Sequence, residues 1–171
     1  KVDLKNEGAQ IVVTTPRIAV TFHKANGTMN VKDLKTGNIV VEEVAPVSFD
    51  KNSTTLTFKE HGGEYFYGGG VQNGRFSHKG KAIAIENTNN WVDGGVASPT
   101  PFFWSTKGYG LLWHTFRTGR YDFGQTEEGK VILSHAEDYP DDCLMVNNGP
   151  VELLNDFHQL KGNTDLLPTI R

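Results

Sequence analysis

Apolar and polar positions alternate through the first sixty residues. In the stretch 17–23, Ile18, Val20 and Phe22 fall on one side and Arg17, Ala19, Thr21 and His23 on the other, the two-residue period of a half-buried strand. Residues 10–15 precede it as a β-branched run that Pro16 interrupts. Asn26-Gly27 then forms a hairpin signal, because both residues tolerate positive φ, and residues 29–34 make the return strand. Thr36-Gly37-Asn38 predicts another turn before a strand at 39–44, and strands at 46–50 and 55–60 flank the polar turn Lys51-Asn52-Ser53-Thr54. Nowhere here do apolar residues recur at i, i+3, i+4 and i+7 over three turns. The pattern predicts a β-meander, and strands at this spacing predict an all-β antiparallel β-sandwich or barrel.

The second half predicts shorter strands at 82–85, 102–105, 109–116, 121–123, 130–134 and 144–146. One short C-terminal helix is expected at 151–160, opened by Pro150, whose missing N–H is not needed in the first turn, and stopped by Gly162. Val151, Leu154, Phe157 (or His158) and Leu160 are its predicted apolar stripe.

With 171 residues the chain fits one domain with its own core. A formal net charge of −3 provides no basic stripe, so no nucleic-acid partner is expected. No apolar run reaches the roughly 18 residues of a membrane-spanning helix, so no membrane partner is expected either. Cys143 is the only cysteine, which excludes an internal disulfide, and it reads as a small core residue. The chain starts at Lys1 without a signal segment and stops shortly after Leu166-Leu167-Pro168. It reads as a fragment of a longer protein: a sandwich at 1–149, then a helix and linker at 150–171.

Candidate chemistry concentrates between Glu64 and Gly124. The triple glycine at Gly68, Gly69 and Gly70 lacks the following helix, lysine and hydroxyl of a phosphate loop, so a tight turn or bulge is expected. Six scattered histidines lack close metal-ligand spacing, and no cofactor or metal is expected. Adjacent carboxylates such as Glu42-Glu43, Glu127-Glu128 and Asp141-Asp142 would point to opposite faces of a strand, so no acid–nucleophile pair stands out. The loop 86–98 differs. Glu86-Asn87-Thr88-Asn89-Asn90-Trp91-Val92-Asp93 combines carboxylates, amides, a hydroxyl and an indole, the set that bonds sugar hydroxyls and covers a sugar's C–H face. A solvated polar loop has the same composition, and both readings stand on composition alone.

Tyr65-Phe66-Tyr67-Gly68-Gly69-Gly70, Arg75-Phe76-Ser77-His78-Lys79-Gly80 and Pro99-Thr100-Pro101-Phe102-Phe103-Trp104-Ser105-Thr106-Lys107-Gly108-Tyr109-Gly110 together resemble the N-terminal β-sandwich domain of glycoside hydrolase family 31. Arg120-Tyr121-Asp122-Phe123-Gly124 extends the likeness. The resemblance implies a galactose-mutarotase-like sandwich whose parent is a retaining α-glycosidase or transglycosylase. Its two catalytic aspartates would lie on a barrel beyond Arg171, so the fragment should not catalyse alone. It also implies that the loop residues Asn89, Asn90, Trp91 and Asp93 help to bind an α-linked oligosaccharide shared with that barrel. Rival readings are an autonomous carbohydrate-binding module and an aldose-epimerase-like enzyme, the latter needing a His and a Glu on one cleft.

Overall fold

In a computed structural model that describes residues 1–88, 91–92 and 95–162, the alternation resolves into a run of antiparallel strands. The meander comprises β1 (Asp3–Glu7), β2 (Gln10–Thr14), β3 (Ile18–His23), β4 (Thr28–Asp33), β5 (Ile39–Asp50) and β6 (Ser53–Lys59). It is followed by β7 (Phe66–Gln72), β8 (Ala82–Ile85), β9 (Val96–Ser105), β10 (Tyr109–Trp113), β11 (Gly119–Phe123), β12 (Lys130–His135) and β13 (Asp142–Val146), and then α1 (Pro150–Lys161). A nine-stranded sheet has the order β1-β2-β3-β4-β5-β6-β12-β11-β8, and a four-stranded sheet has the order β13-β10-β9-β7. The all-β sandwich with one short helix is therefore the observed architecture.

Three differences from the pattern have local causes. The strands expected at 39–44 and 46–50 are one strand. Pro46 has no N–H for the ladder, and the register with β6 slips between Glu43 and Ala45 and again between Ala45 and Ser48, so the chain bulges instead of breaking. Strand β1 has no signature in the pattern because its five residues are all exposed, without buried alternation. Strand β10 ends at Trp113, and residues 114–116 belong to the connection to β11.

The core lies between the sheets. Phe58, Tyr121, Phe123 and Leu133 of the large sheet meet Phe66, Phe103, Leu111 and Trp113 of the small one. Phe66 stacks on Phe123 with ring centroids 4.7 Å apart, and Phe103 meets Phe123 edge-on at 5.2 Å. The opposite, outer face of the small sheet carries a second cluster of Phe102, Leu112 and Met145 around Leu153 of α1. Trp104, Cys143 and Phe157 pack against it, which gives the lone thiol the core role expected of it.

The helix corrects one expectation. Leu153 is its fully buried residue and Phe157 stacks on Phe102 at 4.3 Å, whereas Val151, Leu154 and Leu160 of the predicted stripe are exposed. Leucines occur on both sides of this helix, and periodicity cannot say which side finds a sheet. The ring of Phe102 selects the side that carries Phe157.

Two of the scattered histidines are interior. The His78 ring donates through Nε2 to the carbonyl of Gly68 at 2.9 Å. His135 donates through Nδ1 to the Arg117 carbonyl at 3.1 Å, which leaves Nε2 to accept from the Tyr121 hydroxyl at 3.0 Å. Burial lowers the pKa of both rings from the usual 6.5. Below about pH 6.5 the unfolded chain therefore takes up protons that the folded one refuses. Stability is expected to be full above that pH and to fall as the pH drops towards the depressed folded values. Denaturant midpoints between pH 4.5 and 7.5 measure this, and His135→Gln should flatten the slope. An unchanged slope would remove His135 from the account.

Candidate functional site

The loop after Ile85 crosses from β8 in the large sheet to β9 in the small one, at one end of the sandwich. Its opening turn is closed by Thr88 N–H donating to the Glu86 carbonyl at 3.0 Å. Its far end is fixed twice: Asn73 N–H donates to the Gly95 carbonyl at 3.0 Å, and Gly95 N–H to the Val92 carbonyl at 2.8 Å. The structure thus starts β9 at Val96, earlier than the sequence pattern did, because Gln72 pairs with Val96 across the bulged ladder.

The triple glycine is what allows that close pairing. It lies inside β7, where the register with β9 slips between Gly68 and Gly70. All three residues have positive φ, between 76° and 109°. A Cβ on Gly70 would stand 2.1 Å from the Ser98 carbonyl oxygen and 2.6 Å from the Thr100 nitrogen. One on Gly68 would stand 2.7 Å from the Phe102 oxygen, and one on Gly69 2.4 Å from Ile83 Cδ1. The three glycines therefore touch both strands that bound the loop, β8 through Ile83 and β9 through Ser98 to Phe103. The motif is a bulge, one of the two forms expected of it, and a strand instead of a phosphate-binding helix continues from it.

Of the four residues assigned to sugar, Trp91 is described and is 69% exposed, beside the equally outward Val92. Asn89, Asn90 and Asp93 lie outside the described residues. An exposed indole on a loop tied down at both ends offers a flat apolar face at low entropic cost.

Next to the loop base is an open cleft of about 600 Å³. Its walls are Glu86, Asn87 and Ser98 from the loop ends, residues 114–118 of the β10–β11 connection, and Phe157, His158 and Lys161 of α1. His114 bonds Asp141 through Nδ1 at 3.0 Å, and both side chains are more than half exposed. The sequence pattern hides residues 114–116 of this contribution by extending β10 to Phe116. Among the described residues no three His, Cys, Asp or Glu side chains come together to hold a metal ion. No helix among them is long and apolar enough to cross a membrane.

A large antiparallel sheet packed on a smaller one, with a loop emerging where the chain changes sheets, places the chain among the antiparallel β-sandwiches. The sequence profile of the glycosyl hydrolase 31 N-terminal galactose mutarotase-like domain matches residues 1–122. The chain belongs to that family. Alpha-xylosidase A of Aspergillus niger is 34% identical over 73 residues, 42% of this chain and 9% of that protein. A Flavobacterium johnsoniae GH31 dextranase, solved with glucose, superposes with a TM-score of 0.86 at 18% identity, over 92% of this chain and 20% of its own. The cycloalternan-forming enzyme of Listeria monocytogenes, solved with a pentasaccharide substrate, gives 0.88 at 19% identity, over 98% and 17%. At these identities the two structures attest the fold alone, and this chain spans a fifth or less of each relative.

Proposed function

We propose that this chain is the non-catalytic N-terminal domain of a retaining α-glycoside hydrolase or transglycosylase. It supports a catalytic barrel and lends that barrel's carbohydrate site a loop carrying Asn89, Asn90, Trp91 and Asp93. Residues 150–171 act as helix and linker towards the barrel, and the substrate is an α-linked oligosaccharide held jointly by the two domains. The observation that carries this reading is the outward Trp91 on a loop clamped by the β7 glycine bulge. An indole exposed to this extent is poorly placed for core packing and well placed to cover a sugar ring.

In the full-length enzyme, Trp91→Ala is expected to lower kcat/KM on its α-glucoside by about ten-fold, equivalent to about 1.4 kcal/mol, with an unchanged melting temperature. Unchanged kinetics in the folded variant would refute the assignment. Titrating the 171-residue domain with maltose and isomaltose separates the rival reading, because saturable binding without a barrel would make it an autonomous module. Glu86 and His114 share one cleft, so catalysed anomer interconversion would instead make it epimerase-like.

A further inference from the structure

The outer face of the small sheet is only half covered. Helix α1 shields Phe102, Leu112 and Met145, and beside it the half-buried rings of Tyr67 and Trp104 stack at 4.4 Å. Phe76 meets Tyr67 edge-on at 5.4 Å and is itself 89% exposed. At the other end of this face, past the cleft, Phe116 is 100% exposed. Between these ends, Val151 and Leu154 lie on one flank of α1, at i and i+3, and both are exposed. Exposed apolar side chains gathered on one side of a domain mark an interaction surface.

We propose that this face, from Phe116 across α1 to Phe76, is the seat of the catalytic domain within the same polypeptide, with Phe116 as its anchor. The inference rests on the N-terminal-domain reading above and adds which surface serves it. Three observations identify the occupant. The chain belongs to a family of N-terminal domains and spans 17–20% of the dextranase and the cycloalternan-forming enzyme. Helix α1, the first part of the link towards the barrel in that reading, lies on this face. The cleft beside Phe116 has an apolar floor, including Pro101, Leu112 and Phe157, and a charged rim of Arg117 and Lys161. An apolar floor with a polar rim is the anatomy of a protein interface.

Phe116 is also preorganised. The Thr115 hydroxyl donates to Glu137 Oε2 at 2.8 Å, Arg117 N–H donates to Thr115 Oγ1 at 3.0 Å, and the Arg117 carbonyl accepts from His135. An aromatic ring on a loop held this way loses little freedom on docking, the behaviour of an interface hot spot.

The test uses the full-length enzyme and three variants, Phe116→Asp, Phe76→Asp and Phe49→Asp. Phe49 is 60% exposed on β5 of the large sheet and serves as the control. Wild type and Phe49→Asp are expected to unfold in one calorimetric transition. Phe116→Asp and Phe76→Asp should split it in two and raise proteolytic cleavage between the domains about ten-fold. Because all three side chains already face solvent, the sandwich's own transition should stay in place. If the Phe116 and Phe76 variants behave like the control, the seat is elsewhere and this proposal falls, while a kinetic defect in Trp91→Ala would still uphold the domain's role. If they leave the domains coupled but weaken sugar binding, the face is a sugar surface and the proposal falls. If wild type melts in two independent transitions and Trp91→Ala is silent, the supporting role falls with it.

Discussion

Gly70→Ala is expected to destabilise the domain by about 2–3 kcal/mol and to lower its melting temperature by roughly 5–10 °C. Two effects add. Gly70 has φ of 82°, where a residue with a Cβ is strained, and that Cβ would stand 2.1 Å from the Ser98 oxygen. The neighbour is strand backbone, so relief means moving β9, and β9 is where the 86–95 loop ends. Gly37→Ala isolates the first effect, since its φ is 76° and nothing lies within 4 Å of the added atom; it should cost only about 1 kcal/mol. Thermal melts of the two variants give the comparison. In the full-length enzyme, Gly70→Ala should also depress kcat/KM at temperatures where the protein stays folded. Equal melting shifts for the two variants would mean that the bulge does not clamp β9.

The sheets and the loop were legible in the sequence to different depths. Alternation revealed β3 and the inward Ile18 and Val20, although Phe22 of the same expected face is exposed, and Asn26-Gly27 fixed the hairpin, because both signals are local. The bulge at Pro46 was not legible as continuity: a proline reads as an interruption whether the strand ends or merely skips a ladder bond. Strand β1 pairs along its whole length but buries nothing, so no hydrophobic period betrays it. For α1 the period was right and Phe157 of the expected stripe packs inward, but Leu153 is buried in place of Val151, Leu154 and Leu160, a choice made by Phe102, some fifty residues earlier in the chain. The site shows the same division. Composition drew attention to the loop, and the glycine triplet pointed to a turn or bulge. That this bulge grips both flanking strands comes from non-local packing of Ile83, Ser98 and Thr100, which no spacing rule contains.

Glu64→Ala should have the largest effect of any single change in this domain named above, about 3–5 kcal/mol. Glu64 is fully buried between the end of β6 and the start of β7. Its Oε2 accepts the His61 N–H at 2.7 Å, and its Oε1 accepts the Ser105 hydroxyl. The fully buried Tyr109 hydroxyl bonds it as well; burial first, and then the Glu64 charge, hold that phenol well above its ordinary pKa, so it stays a donor. Lys79 secures the same residue from outside by donating to the Glu64 carbonyl at 2.9 Å. One carboxylate thus joins the β6–β7 connection to the end of β9 and the start of β10. Alanine would leave three donors without an acceptor in the interior, each costing about 1–3 kcal/mol before relaxation or entering water. Glu64→Gln keeps the shape and one carbonyl oxygen, so its loss should be smaller, about 1–2 kcal/mol. Urea unfolding of the three proteins measures both values. A loss below about 1 kcal/mol for alanine would show that water replaces the carboxylate freely. With the expected loss, β7 is held to β9 and β10 by this node at its start and fitted to β9 by glycine contacts further along. Loosening either should displace the loop that carries Trp91.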